Sequence, residues 1–192
     1  MKNIRLIIAA IIMIPILSSC GYNKMVDYSE AVDAQWAQVE NVYQRRADLI
    51  PNLVATVRGY ASHERETLEA VIDARSRATG VHLSPEMMND ASMRQFQEAQ
   101  ENLSSALSRL MVVVERYPDL KANENFRDLQ AQLEGTENRI AVERNRFNEA
   151  TRQYNAYIRR FPQRMVASIF SFERKPYFEA DRGAHQAPQV EF

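Results

Sequence analysis

The sequence has little of the material from which disulfides, tight turns and phosphate-binding loops are built. Its 192 residues include one cysteine, five glycines and seven prolines. One cysteine excludes an intramolecular disulfide, and so few glycines and prolines disfavour an all-β fold with many turns. The net charge of −1 does not provide the basic surface of a nucleic-acid-binding protein, so we expect no nucleic-acid partner.

Sequence motifs of enzymes and metal sites are also missing. The chain contains no Gly-x-Ser-x-Gly, no Walker A loop and no Gly-x-Gly-x-x-Gly. The residues three positions before His63, His82 and His185 are not glutamates, which excludes the Glu-x-x-His motif of di-iron bundles. We therefore expect no metal, no cofactor and no catalytic residues, and we interpret the protein as a non-enzyme.

The N-terminus has the layout of a bacterial lipoprotein signal peptide. Lys2 and Arg5 precede an apolar run over residues 6–16, and small residues lead to Cys20, as in a lipobox. The run is shorter than the roughly 20 apolar residues that span a membrane. We predict that residues 1–19 are removed and that Cys20 carries acyl chains such as palmitate. The alternatives are an ordinary secretory signal with an incidental cysteine, or retention of residues 1–19 as a membrane anchor.

An acyl anchor at Cys20 predicts a location in the bacterial cell envelope, outside the cytoplasm. Gly21 occupies the position at which an aspartate would favour retention at the inner membrane. We therefore favour the outer membrane in an organism that has two membranes.

Apolar residues recur at helical spacing through the rest of the chain. In three runs an apolar residue recurs every three, four or seven positions, which gives one apolar stripe on an otherwise charged helix. The stripes are Val32, Trp36, Val39, Tyr43, Ala47, Ile50, Val54, Val57, Ala61, Leu68 and Val71; then Phe96, Ala99, Leu103, Ala106, Leu110, Val114 and Tyr117; then Phe126, Leu129, Leu133, Ile140, Phe147, Tyr154, Ile158 and Phe161. This predicts an all-α fold, an antiparallel bundle of long helices with coiled-coil-like packing.

Prolines and glycines set the predicted ends of these helices. Gly80 and Pro85 separate the first run from the second, and Pro118 and Pro162 end the second and third runs. Pro51 lies inside the first run and predicts a kink or a break, because proline lacks the N–H that a helix interior requires. The predicted bundle over residues 20–162 has four helices, at about 24–50, 51–79, 85–116 and 123–161.

This helix order predicts which parts of the bundle lie far from a membrane anchor at Cys20. The turn at 79–85 and Phe161 would lie at the distal end, and the turn at 117–123 at the proximal end. The C-terminal segment 163–192 would therefore start far from the membrane. Its last residues, beyond Asp181, have the composition of a flexible end.

Several segments of the chain share an ordered pattern with one family. They are Tyr22-Asn23, residues 34–40, residues 43–54, residues 59–64, Ala74-Arg75, Tyr154-Asn155, residues 160–162 and residues 175–179. Together they resemble the LemA family of bacterial envelope proteins. The resemblance implies an antiparallel helical fold and a membrane-attached, non-cytoplasmic body. It implies little about activity, since the family's molecular role is essentially uncharacterised. Its members commonly keep an uncleaved N-terminal transmembrane helix, from which the lipobox departs.

The segment beside Pro51 is the first candidate site. It holds Arg45, Arg46 and Asp48 within one turn before the proline, and Asn52 directly after it. The structural interpretation is that Asp48 pairs with Arg45 or a neighbouring helix and that Asn52 satisfies backbone groups freed at the kink. The functional alternative is a docking patch for another protein or an anionic glycan. We favour the structural interpretation.

Aromatic residues in the C-terminal segment form the second candidate site. Phe170, Phe172, Tyr177 and Phe178 lie close together and need to be covered. We expect the distal end of the bundle to cover them. A partner protein or a bilayer surface is the alternative.

These features favour a non-enzymatic scaffold or adaptor that is fixed to the membrane and binds an unidentified envelope protein. The alternative is an enzyme or enzyme accessory that uses carboxylates brought together by folding, such as Glu40, Asp48, Glu64 and Glu137. A third possibility is a structural homo-oligomer, which requires a self-complementary apolar face.

Overall fold

The computed structural model describes the backbone of residues 2–179 and the side chains of residues 21–179. It contains six α-helices, no strand in the described part of the chain, and one short 3-10 turn at Pro85–Met87. The helices are α1 (Lys2–Tyr60), α2 (Arg65–Gly80), α3 (Asp90–Val114), α4 (Pro118–Ala122), α5 (Glu124–Arg159) and α6 (Gln163–Ile169). The predicted all-α class is confirmed. Within residues 21–179, none of the helices combines the length and the apolar character of a membrane-spanning segment.

Helix α1 passes through Pro51 without a break. Pro51 cannot donate to the carbonyl of Ala47, four residues earlier, as a helix interior normally requires. The guanidinium Nε of Arg75 on α2 donates to that carbonyl instead, at 2.7 Å, and the proline is exposed. The predicted break is therefore wrong, although a bend at this point stays a prediction. α1 ends at Tyr60 rather than at residue 50.

The next two helices return along the second part of α1. Residues 61–64 form the turn, and α2 packs back on α1 with Leu68 and Val71 buried. α3 packs on α2 and starts at Asp90, where the side chain of Asn89 accepts hydrogen bonds from two backbone N–H groups of the first turn. The predicted start at residue 85 corresponds only to the short 3-10 turn.

Helix α5 runs antiparallel to α1 along most of its described length. Gln35 Nε2 donates to Glu143 Oε2 at 2.8 Å, and the rings of Tyr28 and Tyr157 lie 5.2 Å apart. α5 therefore ends beside the start of the described bundle. The predicted placement of the C-terminal segment at the distal end is wrong, because the unbroken α1 moves the first turn to residues 61–64 and reverses the later turns.

The buried residues form two clusters along the bundle axis. The cluster nearer Cys20, here called the near half, is rich in aromatic residues. The cluster around the second part of α1, the far half, is mainly aliphatic. The aromatic residues of the near half are Trp36, Tyr43, Phe96, Phe147, Tyr154 and Phe178. The far half includes Ile50, Leu53, Val57, Leu68, Val71, Leu103, Leu110 and Leu133, with Phe126 as its buried aromatic residue.

Candidate functional site

A groove runs between α3 and α5 because these two helices pack mainly on other neighbours. α3 packs on α2 and α5 packs on α1. Tyr43 and Arg46 of α1 line the groove together with residues of α3 and α5. We call this feature the α3–α5 groove. Residues 172–179 fill its near half, and none of residues 21–179 fills its far half.

Residues 172–179, here called the tail, enter the near half of the groove without regular secondary structure. Three side-chain amides on α3 and α5 each bind one tail residue twice, donating to its carbonyl and accepting from its N–H. The pairs are Asn155 with Lys175 (2.8 and 3.0 Å), Asn148 with Phe178 (3.1 and 2.8 Å) and Gln97 with Glu179 (both 3.3 Å). These hydrogen bonds are made to backbone groups of the tail and do not depend on its side chains.

The side chain of Phe178 is part of the core. It is 4% exposed, and its ring centroid lies 5.4 Å from that of Phe147 and 6.0 Å from that of Trp36. The guanidinium of Arg144 lies over the same ring at 5.0 Å. The tail is therefore fixed by an aromatic anchor as well as by backbone hydrogen bonds.

The start of the tail is held by polar contacts on α1 and α5. Lys175 forms an ion pair with Asp33, and the hydroxyl of Tyr154 donates to the carbonyl of Glu173 at 2.9 Å. Burial raises the pKa of Tyr154 to about 12, and the nearby carboxylates of Asp33 and Glu173 act in the same direction. Tyr154 thus remains neutral and able to donate at physiological pH.

The far half of the groove contains two cavities of about 340 and 230 Å³, and Arg46 lines both. The first begins next to Gln97 and Arg144, where the described part of the tail ends. The second has apolar walls from Leu107, Met111 and Leu133 among polar residues. The polar residues of the two cavities include Gln100, Ser104, Ser105, Ser108, Gln130 and Glu137. The open part of the groove therefore offers both hydrogen-bonding and apolar surface.

Arg46 provides a buried positive charge in this groove. It is 1% exposed, and its Nη1 donates to Ser104 Oγ and to Glu137 Oε2, both at 2.8 Å. Its Nη2 donates to Gln100 Oε1 at 2.7 Å, and its Nε has no partner among the described residues. The side chain of Glu137 is 54% exposed, so the buried cation is paired with a carboxylate that remains largely in water.

The predicted docking patch beside Pro51 does not form one surface. Arg46 points into the bundle, whereas Arg45, Asp48 and Asn52 are exposed. Successive residues of a helix point about 100° apart, so neighbours in sequence need not share a face. Asp48 accepts a hydrogen bond from Gln44 at 2.7 Å. Only Arg46 of the four candidates lines the groove.

The predicted aromatic contact of the C-terminal segment forms at the other end of the molecule. Phe178 is buried, Phe172 and Tyr177 are partly buried, and Phe170 is exposed. The rings of Phe170 and Phe172 pack on Tyr22 at 4.9 and 5.6 Å. The bundle covers much of the segment, as expected, but at the end beside Cys20 and not at the distal end. The side chain of Cys20, the predicted lipid attachment site, lies outside the described residues. The predicted flexible end beyond Asp181 lies outside them as well.

The carboxylates of the enzymatic alternative do not converge. Glu137 pairs with Arg46, Asp48 is exposed, and Glu64 lies in the turn after α1. Glu40 borders a separate cavity of about 70 Å³, where burial raises its pKa. Across residues 21–179, no three His, Cys, Asp or Glu side chains are grouped as metal ligands. The enzymatic alternative thus has no shared site among these four residues.

The candidate sites predicted from the sequence did not include the amides that bind the tail. Asn148 and Asn155 are seven residues apart and directly follow the buried Phe147 and Tyr154. A heptad-spaced pair of asparagines beside an apolar stripe lies at the edge of a helix interface, where an unpaired amide would be costly. That spacing was a usable signal for a polar contact.

A model of the LemA family matches residues 35–192, which is most of the chain. The chain belongs to the LemA family. The segments that resemble this family include Asn155, which binds the tail, and residues 175–179 of the tail itself. The family resemblance thus covers part of the tail contact as well as the helices.

Similar proteins are known from two other organisms. The LemA-family chain is 28% identical over 177 residues to Magnetosome protein MamQ 1 and to Magnetosome protein MamQ 2 of Paramagnetospirillum magneticum. It is 26% identical over 174 residues to Magnetosome protein MamQ of Magnetospirillum gryphiswaldense. Each match covers 82% of this chain and 64% of the relative. The chain therefore spans less than two thirds of these relatives.

Proposed function

We propose that this LemA-family protein is a membrane-anchored, non-enzymatic adaptor of the bacterial cell envelope. Its far groove half would bind an extended, acidic segment of an envelope protein. The observation that carries this proposal is a buried Arg46 in the open continuation of a groove that already binds a polypeptide segment.

The near half of the groove indicates the shape of the partner. Side-chain amides there bind the backbone of the tail in pairs, a type of contact that suits any extended polypeptide. The far half presents Gln100 and Gln130 together with three serines, beside an apolar wall that includes Leu107. On α3 the lining residues run from Gln100 to Met111, roughly 16 Å along the helix axis, which an extended segment of about five residues would span.

The charge of Arg46 indicates the chemistry of the partner. A carboxylate can bind a guanidinium through two parallel hydrogen bonds, and the Nε of Arg46 is without a described partner. Glu137 can move into water at small cost because half of its side chain is already exposed. A partner carboxylate would then replace Glu137 as the counter-ion of Arg46, so that the buried guanidinium stays paired.

A lipid anchor at Cys20 would set the height of the groove above the membrane. Arg46 follows Cys20 by 26 residues of continuous helix, which corresponds to roughly 39 Å. The groove would therefore reach envelope proteins that stand well above the bilayer. The same height results if residues 1–19 stay in place as an anchor. In an organism with two membranes, we propose the outer membrane.

Site-specific photo-crosslinking in living cells tests the adaptor function. A photoreactive amino acid at Ser108, which lines the far half, is compared with one at Asn102, an exposed α3 residue outside the groove. The proposal expects a discrete adduct at Ser108 only, mapped by mass spectrometry to an acidic segment of an envelope protein and lost with Arg46→Met. Equal adducts at both positions, or an adduct that ignores Arg46, would contradict it. An adduct between two copies of this chain would indicate a homo-oligomer instead.

Mass spectrometry of the protein extracted from membranes tests the anchor. The proposal expects an N-terminus at Cys20 that carries diacylglycerol and acyl mass, and loss of this mass in Cys20→Ala. A full-length, unmodified chain would show that residues 1–19 are the anchor. That result would leave the groove and its crosslinking test unaffected.

A further inference from the structure

The end of the bundle where α5 and α6 meet exposes several large apolar side chains. Phe161, Met165 and Ile169 are spaced four residues apart, and Phe161 and Ile169 are 84% and 75% exposed. This spacing places Met165 and Ile169 on one face of α6, whereas Ala167 is buried where α6 packs on α1 and α5. Phe170 extends the exposed face. We call Phe161, Met165, Ile169 and Phe170 the apolar edge.

The apolar edge is bordered by positive charge. Residues 157–172 contain Arg159, Arg160 and Arg164, all exposed, and contain neither aspartate nor glutamate. Elsewhere on α5 the exposed charges are of both signs, and some form pairs, such as Glu149 with Arg152 at 2.6 Å. Exposed apolar side chains flanked by arginines match the chemistry of an anionic lipid surface.

The position of the apolar edge places it next to the proposed anchor. The ring of Phe170 packs on that of Tyr22 at 4.9 Å. Tyr22 follows Cys20 by two residues, which is roughly 3 Å along a helix axis. Before Cys20 the chain carries the apolar run of residues 6–16. Both modes of anchoring, by lipid or by a retained N-terminal segment, would thus bring this end to the bilayer surface.

We propose that the apolar edge and its three arginines dock into the headgroup region of an anionic membrane. Aromatic side chains such as Phe161 and Tyr22 would lie at the boundary between headgroups and acyl chains, and Arg159, Arg160 and Arg164 would bind lipid phosphates. A single flexible anchor leaves a rod free to tilt. A second contact at its base restricts the tilt and fixes the direction in which the α3–α5 groove faces.

Depth-dependent fluorescence quenching tests this docking surface in the full chain purified from membranes. Tryptophan replaces Met165 in one variant and Val112, which is also exposed and lies on α3, in the control. Trp36 is buried in the core and gives the same background in both. In vesicles of phosphatidylcholine with brominated acyl chains and phosphatidylglycerol, Met165→Trp should lose most of its added emission, and Val112→Trp should lose almost none.

Removal of the arginines tests the anionic part of the proposal. Arg159, Arg160 and Arg164 are changed together to glutamine in the Met165→Trp chain. Each arginine near an anionic surface is worth about fivefold in the ratio of docked to undocked states, so quenching should fall toward its value in pure phosphatidylcholine. High salt should reproduce this loss in the unchanged chain.

Three results would overturn the proposal. Met165→Trp could remain as unquenched as Val112→Trp, which would place the apolar edge in water. Its emission could shift to the blue without quenching by brominated lipid, which would mean that protein covers the edge. Finally, quenching that ignores phosphatidylglycerol, salt and the three arginines would show that only the anchor holds this end near the bilayer.

Discussion

The two halves of the bundle differ in what lies between α3 and α5. In the far half, α2 packs on α1 and α3, and the buried residues are mainly aliphatic. α2 ends at Gly80, and in the near half the tail lies in the α3–α5 groove, with Phe178 beside Trp36 and Phe147. The tail is therefore a structural layer of the near half and not an appendage of the bundle.

The same comparison explains why the groove is filled in one half and open in the other. Amides at Asn148 and Asn155 satisfy the backbone of a chain segment that lies in the groove. In the far half Arg46 donates to the side chain of Gln100, and cavities lie beside them. The occupied half thus shows the kind of segment that the open half could bind.

Removing the anchor of the tail should have the largest effect on stability. Phe178→Ala leaves a cavity among Trp36, Phe96 and Phe147, and we expect it to lower the free energy of unfolding by about 3–5 kcal/mol. Phe170→Ala is the control, with an expected change within about 0.5 kcal/mol because this ring is exposed. Chemical denaturation followed by circular dichroism measures both. Equal losses would mean that the tail is not part of the near-half core.

Loss of the charge of Arg46 in the far half should lower the free energy of unfolding less than loss of Phe178 does. Arg46→Met removes the donors to Gln100, Ser104 and Glu137 but keeps an apolar stem of similar length. We expect the free energy of unfolding to fall by about 2 kcal/mol, mainly because the buried side-chain carbonyl of Gln100 is left without a donor. Arg45→Met should change the free energy of unfolding by less than about 0.5 kcal/mol, since Arg45 is exposed. If Arg45→Met lowered the free energy of unfolding more than Arg46→Met, Arg45 and not Arg46 would be the buried arginine.

The helices could be predicted from the sequence because apolar spacing is a local property. Stripe residues such as Trp36, Val57 and Phe147 are all buried. The end of α1 could not be predicted, because the bond missing at Pro51 is replaced by Arg75, 28 residues from the carbonyl that it binds. One such long-range contact moved the first turn and reversed the expected position of the C-terminal segment.

The groove was only partly predictable, for a related reason. Arg46 lay within a predicted patch, but its inward direction depends on how α3 and α5 pack around α1. Phe178 was expected to be covered, yet its place beside Trp36 depends on the path of the tail between two helices. Contacts between distant parts of the chain decide both features, and residue spacing does not encode them.

A double-mutant cycle at Pro51 should sharpen the account of α1. Arg75→Met leaves the carbonyl of Ala47 without a donor and should cost about 1 kcal/mol. In a Pro51→Ala chain the restored N–H can bind that carbonyl, so Arg75→Met should cost less there, with a coupling of about 0.5–1 kcal/mol. Denaturation of the four chains measures it. Additive effects would show that Arg75 does not substitute for the missing backbone bond.

The smallest expected effect distinguishes the two halves at high pH. The pKa of Tyr154 in the near half is raised to about 12, mainly by burial, and that of Tyr117 in the far half is raised by its hydrogen bond to Glu64. An unfolded tyrosine ionises near 10, so the stability that neutral Tyr154 contributes is present below pH 10 and is lost between about 10 and 12. Tyr154→Phe should therefore flatten the fall in unfolding free energy over this range more than Tyr117→Phe does. Ultraviolet difference titration against wild type measures each ionisation directly. Ionisation of Tyr154 near 10 would mean that the tail does not exclude water from it, and the near half would then be as open as the far half.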